Sequence, residues 1–453
     1  MKIAPSKELS LFDSICIIVG IIVGAGIYQT APTVAGSMAG WLGALAIWLV
    51  GGFLALTGAL SYAELATAYP DEGGDYVYLS RAYGGWAGYL FGWSQLAIVR
   101  PGDIALMAYV FANYARELYN PFGLGEPALA AGAVVVLTGI NIIGVREGKW
   151  TQNLLTVVKV LGLLAIVVAG IFAPERAPSV QGSEITLGGV QLALILVLFT
   201  FGGWNEMAYV AAEVKNPRRN IVRGLVLGTL LVTGLYIVAN GAFLYALGYS
   251  GMAASDAVAA DAMRAVFPDV AGATISKLIS VLICISALGA VNGLVLTGSR
   301  ITYALGKEHR VFKPLGKWSP RFGTPVWALI AQGAISLGIV LFAGSFIDTI
   351  IYSAPVVWLF FLGTGLSVFV LRRTEAATER PYKVGGYPVT PAIFVACCCF
   401  MLYASASYAF KNKPYGLAIL IGVMTVGVVL YLTTERRRNT QQQGSADSAD
   451  GSD

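Results

Sequence analysis

The sequence predicts an all-α polytopic membrane protein with 12 transmembrane helices. Of its 453 residues 57% are hydrophobic and only 12% charged, against about 25% charged in an average soluble protein. Those apolar residues gather into long uninterrupted runs. A bilayer core takes about 20 apolar residues per helix, and a barrel would instead show strand-length alternation, so the runs read as helices.

In chain order the spans cover about 9–34, 41–68, 86–115, 128–144, 154–172, 190–212, 221–247, 275–305, 326–343, 346–371, 391–410 and 415–432. The first is too long for a signal peptide and is followed directly by another, so it is expected to be retained. The domain division follows: a cytoplasmic end at 1–8, one transmembrane domain at 9–432, and a cytoplasmic tail at 433–453. That tail lacks the apolar residues needed to fold and reads as disordered. An Ala-rich loop at 251–268, with Asp256 and Asp261, reads as a short surface helix outside.

Basic residues should concentrate in cytoplasmic loops, and they fall on alternate connections. One side holds Lys2, Lys7, Arg146, Lys149, Lys215, Arg218, Arg219, Arg223, Lys307, Arg310, Lys313, Lys317, Arg321, Arg372, Arg373, Arg380, Lys383 and Arg436 to Arg438. The other holds Arg116, Arg176, Arg264, Lys411 and Lys413. Both termini are therefore expected in the cytoplasm of a multi-pass cell-membrane protein, which requires an even number of spans. The formal charge of +5 then reports topology and not nucleic-acid binding. Cys16, Cys284, Cys397, Cys398 and Cys399 lie in apolar segments, and His309 is the single histidine. Neither a disulfide framework nor a metal, cofactor or nucleophilic enzyme site is indicated.

Two spans carry glycine where a helix should be continuous. Gly20, Gly24 and Gly26 interrupt the first, around Gly24-Ala25-Gly26, and Gly202-Gly203 interrupts the sixth after Phe199-Thr200-Phe201 and before Trp204-Asn205. Glycine costs about 1 kcal/mol relative to alanine in a helix interior. Either site alone fits close helix packing. As a pair, five spans apart, they point to two repeats with a midplane site between broken helices, the first repeat at 9–173 and the second at 190–371, followed by two more helices at 388–432. Unwound backbone offers N–H groups to an anion and C=O groups to a cation, which suits a zwitterion such as an amino acid.

Charges inside the spans add candidates. Lys159 lies in the apolar fifth span and needs acceptors there, or must snorkel toward the cytoplasmic face. Arg100-Pro101-Gly102-Asp103 reads as an ion pair beside a kinking proline, with structure and function equally served. Glu206 follows the second break closely enough to affect charge selectivity or protonation, whereas Glu213 reads as structural. Glu64 and Arg300 read as solvated helix ends.

These residues resemble the amino acid-polyamine-organocation transporters, and within them the L-type amino acid transporter branch, over about 9–432. Gly24-Ala25-Gly26 resembles the glycine motif of the first helix, and Phe199-Thr200-Phe201-Gly202-Gly203-Trp204-Asn205 the branch's sixth-helix motif. Arg100-Pro101, Glu213 with Asn216-Pro217-Arg218-Arg219-Asn220, Tyr236 with Asn240, and Val291-Asn292-Gly293 with Ser299-Arg300 are similar to branch features. The resemblance implies a 5+5 inverted repeat with discontinuous helices 1 and 6 and alternating access, commonly as an exchanger. It implies that substrate carboxylate meets N–H groups of Gly24, Ala25, Gly26 and Ile27, and that the ammonium meets carbonyls near Ile21, Phe199 and Phe201. Thr200, Gly202 and Asn205 complete the implied binding set, with Phe199 as a hydrophobic gate and Asn205 and Tyr236 in the polar site or its coupling; Glu206 is a gating or coupling candidate by its own position after the break. Lys159 resembles the fifth-helix lysine that stands where sodium binds in sodium-coupled relatives.

The chain departs from the pattern at Ala290, where some members carry a hydroxyl that helps hold the lysine, and at Glu206, which replaces an uncharged residue. Eukaryotic members join a heavy chain through a cysteine between helices three and four. The stretch 116–127 has none, so a stand-alone prokaryotic transporter without a disulfide-linked heavy chain is expected. The functional expectation is sodium-independent exchange of neutral L-amino acids across the cell membrane. Two alternatives stand beside it: proton-coupled uptake of amino acids or a polyamine through Lys159 or Glu206, and a channel or non-transporting sensor whose glycines serve packing.

Overall fold

Ser10 starts the first helix for a clear local reason. Its hydroxyl accepts from the Asp13 N–H at 3.2 Å while Asp13 accepts from the Ser10 N–H at 2.8 Å, so two otherwise orphaned donors are satisfied. Helix α1 (Leu11–Ile22) then runs to the first glycine break and α2 (Gly26–Gly36) continues beyond it, bent by 54°. The computed structural model describes residues 6–118, 122–172, 186–267, 272–342, 346–412 and 414–450, without the side chains of 117, 342, 346–353, 412 and 435–450.

Helix α3 (Gly40–Ala68) is followed by the short α4 (Asp75–Tyr83) and by α5 (Gly85–Ser94), which passes through a π-helical turn, Gln95–Val99, into α6 (Arg100–Leu118). The π turn is how this helix accommodates Pro101. The ring cannot accept a regular helical neighbour, and one widened turn lets the Arg100 N–H reach the Gln95 carbonyl instead. Next come α7 (Glu126–Ile143), α8 (Val145–Ile171) and α9 (Leu187–Thr200). After the second break a 3-10 segment, Glu206–Glu213, leads to α10 (Pro217–Ala253), which has proline in its first turn, where a missing N–H costs nothing. The Ala-rich loop contains α11 (Val258–Val266), and α12 (Gly272–Glu308), α13 (Val326–Phe342), α14 (Phe346–Thr374), α15 (Val389–Asn412) and α16 (Pro414–Asp450) complete the chain. In α16 the backbone helix continues past the apolar stretch to Asp450, where composition alone predicts a disordered end.

The protein is an all-helical, polytopic membrane protein. Among the described residues nine helices of at least 18 residues are apolar enough to cross a bilayer, and the bent α1 and α2 pair makes a tenth. Helices α9 and α13 are shorter apolar helices. The broken helices sit inside the bundle: α10 packs against α1, α2 and α3, and α12 against α1, α6 and α8.

One end of the bundle is tied by charge. The Leu9 N–H donates to the Glu213 carbonyl at 2.9 Å, and the Lys215 N–H to the Leu9 carbonyl at 2.8 Å. Lys149 lies 3.6 Å from Asp13 and donates to the Glu8 carbonyl at 2.8 Å. Arg300, fully buried, reaches Glu213 with two nitrogens at 2.6 and 3.1 Å. Glu64, 1% exposed, accepts from Arg372 at 2.7 and 2.6 Å and from the Val384 N–H at 2.7 Å. The expectation that Glu64 and Arg300 are solvated helix ends is thus corrected. Each charge has a fork-shaped partner from a distant helix, and that pairing lets it leave water. These contacts bring residues of one predicted side together at one end. Lys2, Arg176 and Lys413 lie outside the described residues, as do the side chains of Arg436 to Arg438.

Replacing Glu213 by Gln leaves the buried Arg300 guanidinium without its carboxylate, an uncompensated charge worth about 3–5 kcal/mol. The expected result is a marked fall in the thermal unfolding temperature of purified protein, while the exposed Arg218–Glu379 pair can be broken with little change.

Candidate functional site

At the first break the backbone turns away at Val23, and its freed carbonyls find partners on three other helices. The Lys159 ammonium, from α8, donates to the carbonyls of Gly20 at 2.7 Å, Val23 at 3.1 Å and Ser286 at 2.9 Å. An ammonium has three donors, so all are used, and the side chain is 1% exposed. It does not snorkel. Gly289 makes the room, since a Cβ there would lie 2.8 Å from Lys159 Nζ. One turn before Ala290, Ser286 Oγ donates to the Val23 carbonyl at 2.8 Å and so holds the break itself, while the lysine takes the Ser286 backbone carbonyl.

The second break follows Thr200. Gly202 N–H donates to the Phe199 carbonyl at 2.9 Å, closing a tight turn, and Gly203 takes φ of 112°, a value that L side chains rarely adopt. The two breaks touch. A Cβ on Gly203 would fall 2.6 Å from Ile21 Cγ2, and one on Gly26 would fall 3.2 Å from Thr200 Cγ2. Thr30 and Thr200 hydroxyls are 3.0 Å apart. Tyr236, fully buried on α10, donates to the Ile22 carbonyl at 2.8 Å and lies 3.3 Å from the Thr200 carbonyl. One phenol therefore binds both interruptions.

Beside this junction there is open space. Gly24 is buried, yet a Cβ on it would meet only the carbonyls of Ile22 and Ile21 in its own turn, at 3.9 and 4.0 Å. The N–H groups of Gly26 and Ile27 lie in the first turn of α2, where intrahelical acceptors are lacking. Gly202 is exposed and Phe199 is 39% exposed. Phe201 is instead fully buried, with its ring centroid 5.2 Å from Tyr236. Trp48 packs edge-on to Tyr236 at 5.4 Å.

The remaining candidates turn away from the junction. Asn205 is buried and donates to the Tyr209 hydroxyl at 2.7 Å. Glu206 meets Arg100 at 2.8 Å and accepts from Thr297 at 2.6 Å. Arg100 is thus paired with Glu206 and not with Asp103: Gln95 and Glu206 accept from its guanidinium, which also lies over the ring of Tyr209.

Sequence reasoning did not find Ser286, Trp48, Thr297 or Tyr209. It also missed the buried amide chain in which Asn141 donates to Asn292 at 2.8 Å and Asn292 to Gln152 at 2.9 Å. A serine or amide in a long apolar helix carries no local mark of its role. The available signal was Asn292 itself, a polar residue in an apolar run that needs partners from other helices.

The model of the amino acid permease family matches residues 9–431. The chain is similar to the b(0,+)-type amino acid transporter 1 of Oryctolagus cuniculus, 33% identical over 83% of this chain and 78% of that protein. It is similar to the serine/threonine exchanger SteT of Bacillus subtilis (strain 168), 30% identical over 95% of this chain and 98% of that one. With the large neutral amino acids transporter small subunit 2 of Homo sapiens it shares 31% identity, over 95% of this chain and 80% of the other. A transporter family also accords with a buried site that has backbone donors and acceptors in place of a nucleophile. By motif, geometry and relatives, the chain belongs to the amino acid permease family, in the L-type branch of the amino acid-polyamine-organocation transporters.

Proposed function

We propose that the protein carries neutral L-amino acids across the cell membrane by alternating access, independently of sodium, as an exchanger. The observation that carries the reading is the Lys159 ammonium on the carbonyls of Gly20, Val23 and Ser286. It is a fixed cation at the position where the resemblance places sodium in coupled relatives, so the carbonyls of the first break are neutralised without a transported ion.

The substrate zwitterion takes the space beside Gly24. Its carboxylate meets N–H groups at the start of α2, from Ala25, Gly26 and Ile27, and its ammonium meets carbonyls of the two breaks near Ile21, Phe199 and Phe201. The Phe199 carbonyl already accepts the Gly202 N–H, so it retains one lone pair for this purpose. Thr200 and Gly202 border the same space, Phe199 closes over it, and Asn205, Tyr236 and Glu206 couple it to the neighbouring helices. The names of the relatives, a serine/threonine exchanger and a large neutral amino acids transporter among them, support neutral substrates and exchange.

Twelve spans in two inverted repeats of five, plus two helices, fit this mechanism. Helix α9 with the second break and its 3-10 segment serves as the sixth span, and α13 as the ninth. The end tied by Arg300–Glu213 and Glu64–Arg372 is the cytoplasmic one, with both termini there, and the chain works without a disulfide-linked heavy chain.

Liposomes holding the protein and preloaded with one unlabelled neutral amino acid should take up a labelled one several-fold faster than empty vesicles, with or without sodium. Equal uptake by loaded and empty vesicles rejects obligatory exchange, and stimulation by a proton gradient across empty vesicles selects proton coupling in its place. Replacing Lys159 by Ala orphans three buried carbonyl contacts and should slow exchange on the order of tenfold or expose a sodium requirement. Wild-type rates without a sodium effect remove Lys159 from the mechanism.

A further inference from the structure

A buried carboxyl group without a cation stands at the start of α4. Asp75 is fully buried and, among the described residues, joins no ion pair within 4.0 Å. Its Oδ1 accepts from the hydroxyls of Tyr62 on α3 and Thr364 on α14, while its Oδ2 has no hydrogen-bond partner among the described residues. The hydroxyl of Tyr78, also fully buried, has none either. Buried polar atoms are seldom left unmet, and these two stand three residues apart on one helix, hence on one face.

Contacts place this carboxyl beside the 3-10 segment that leads from the second break to Glu213. The Gly73 N–H donates to the Tyr209 carbonyl at 3.1 Å, and a Cβ on Gly74 would fall 2.8 Å from Tyr209 Cδ1. Tyr209 in turn accepts from Asn205 at 2.7 Å. The Tyr62 ring packs edge-on to Trp204 at 4.9 Å and to Tyr78 at 6.2 Å, so aromatic faces keep water from the carboxyl. The ionisable and charged groups facing Asp75 are Tyr62 on α3, Tyr78 on its own helix, Arg100 on α6, Tyr209 in the 3-10 segment and Cys398 on α15, while α14 contributes Thr364. Arg100 is committed to Glu206 at 2.8 Å. Burial raises the Asp75 carboxyl above the ordinary carboxylate value, against the opposing pull of the surrounding hydroxyls and of Arg100.

We infer that Asp75 is a proton-binding site: it carries a proton on Oδ2 while α3, α4, α14 and the 3-10 segment are closed around it, and returns that proton to water when they part. The proton turns Oδ2 from an orphaned acceptor into a donor that can meet the Tyr78 hydroxyl directly or through a water, and it removes the cost of a buried, unpaired charge. A hard cation serves less well, since it takes about six oxygens and α4 offers only Oδ2 and the Tyr78 hydroxyl. A proton held more tightly in the closed arrangement than in the open one makes a lower pH favour closure, and a rise through the closed-state pKa favour opening. That consequence for exchange rests on the transport reading above, whereas the proton site itself does not.

The test has two arms. Infrared spectra of purified protein at neutral pH should show a protonated-carboxyl C=O stretch that D75N lacks. Exchange of a labelled neutral amino acid in proteoliposomes, with equal pH on both sides, should rise about threefold or more between about pH 5 and pH 8 in the wild type. D75N, a neutral copy of the protonated carboxyl, should keep the low-pH rate of the wild type across that range. A wild type without the stretch, or with a rate that does not change with pH, overturns the inference even if D75N fails to fold. So does a folded D75N that retains the stretch or the wild-type pH profile. Protein that shows the Asp75 stretch but exchanges no amino acid at any pH overturns the transport reading and leaves the proton site standing.

Discussion

The structure depends on one ammonium group. A helix broken in the middle of a bilayer leaves carbonyls that water cannot solvate, and each orphan is expensive. Lys159 resolves this by placing its three donors on Gly20, Val23 and Ser286. The debt is mutual, because a lone ammonium at that depth is equally unfavourable. Lysine and break therefore stabilise each other, and neither is sensible in this fold alone.

Around that point the break is held from several directions. Tyr236 ties the Ile22 carbonyl to the second interruption, Ser286 adds a bond to Val23, and Thr156 reaches the Cys16 carbonyl at 3.0 Å. Glycines do the complementary work of removing volume. Gly203 admits Ile21, Gly293 admits the same side chain from the other side, and Gly289 admits the lysine. Close backbone approach and inserted polar groups are how helices associate where burial of apolar surface gives little net gain.

The buried ion pairs follow a related logic. Arg300 with Glu213, Arg100 with Glu206 and Arg372 with Glu64 each connect segments far apart in sequence. Two of them join the 3-10 segment after the second break to α6 and α12.

The helices, the two breaks and the need of Lys159 for buried acceptors were legible in the sequence. Each rests on a property that residues carry wherever they are placed: a long apolar run must be a helix in lipid, and glycine pairs and a lysine within such a run are costly enough to need a reason. Partners were not legible. Glu64 and Arg300 looked like solvated ends, and Arg100 looked paired with Asp103, its neighbour on one helix face. Only the tertiary structure brought Arg372, Glu213 and Glu206 to them. Ser286, whose carbonyl takes the lysine and whose hydroxyl takes Val23, was not legible for the same reason. By itself the sequence determined which groups could not remain unsatisfied in the membrane. The packing of distant helices decided what satisfies them, because such contacts depend on angle and depth, which no local pattern encodes.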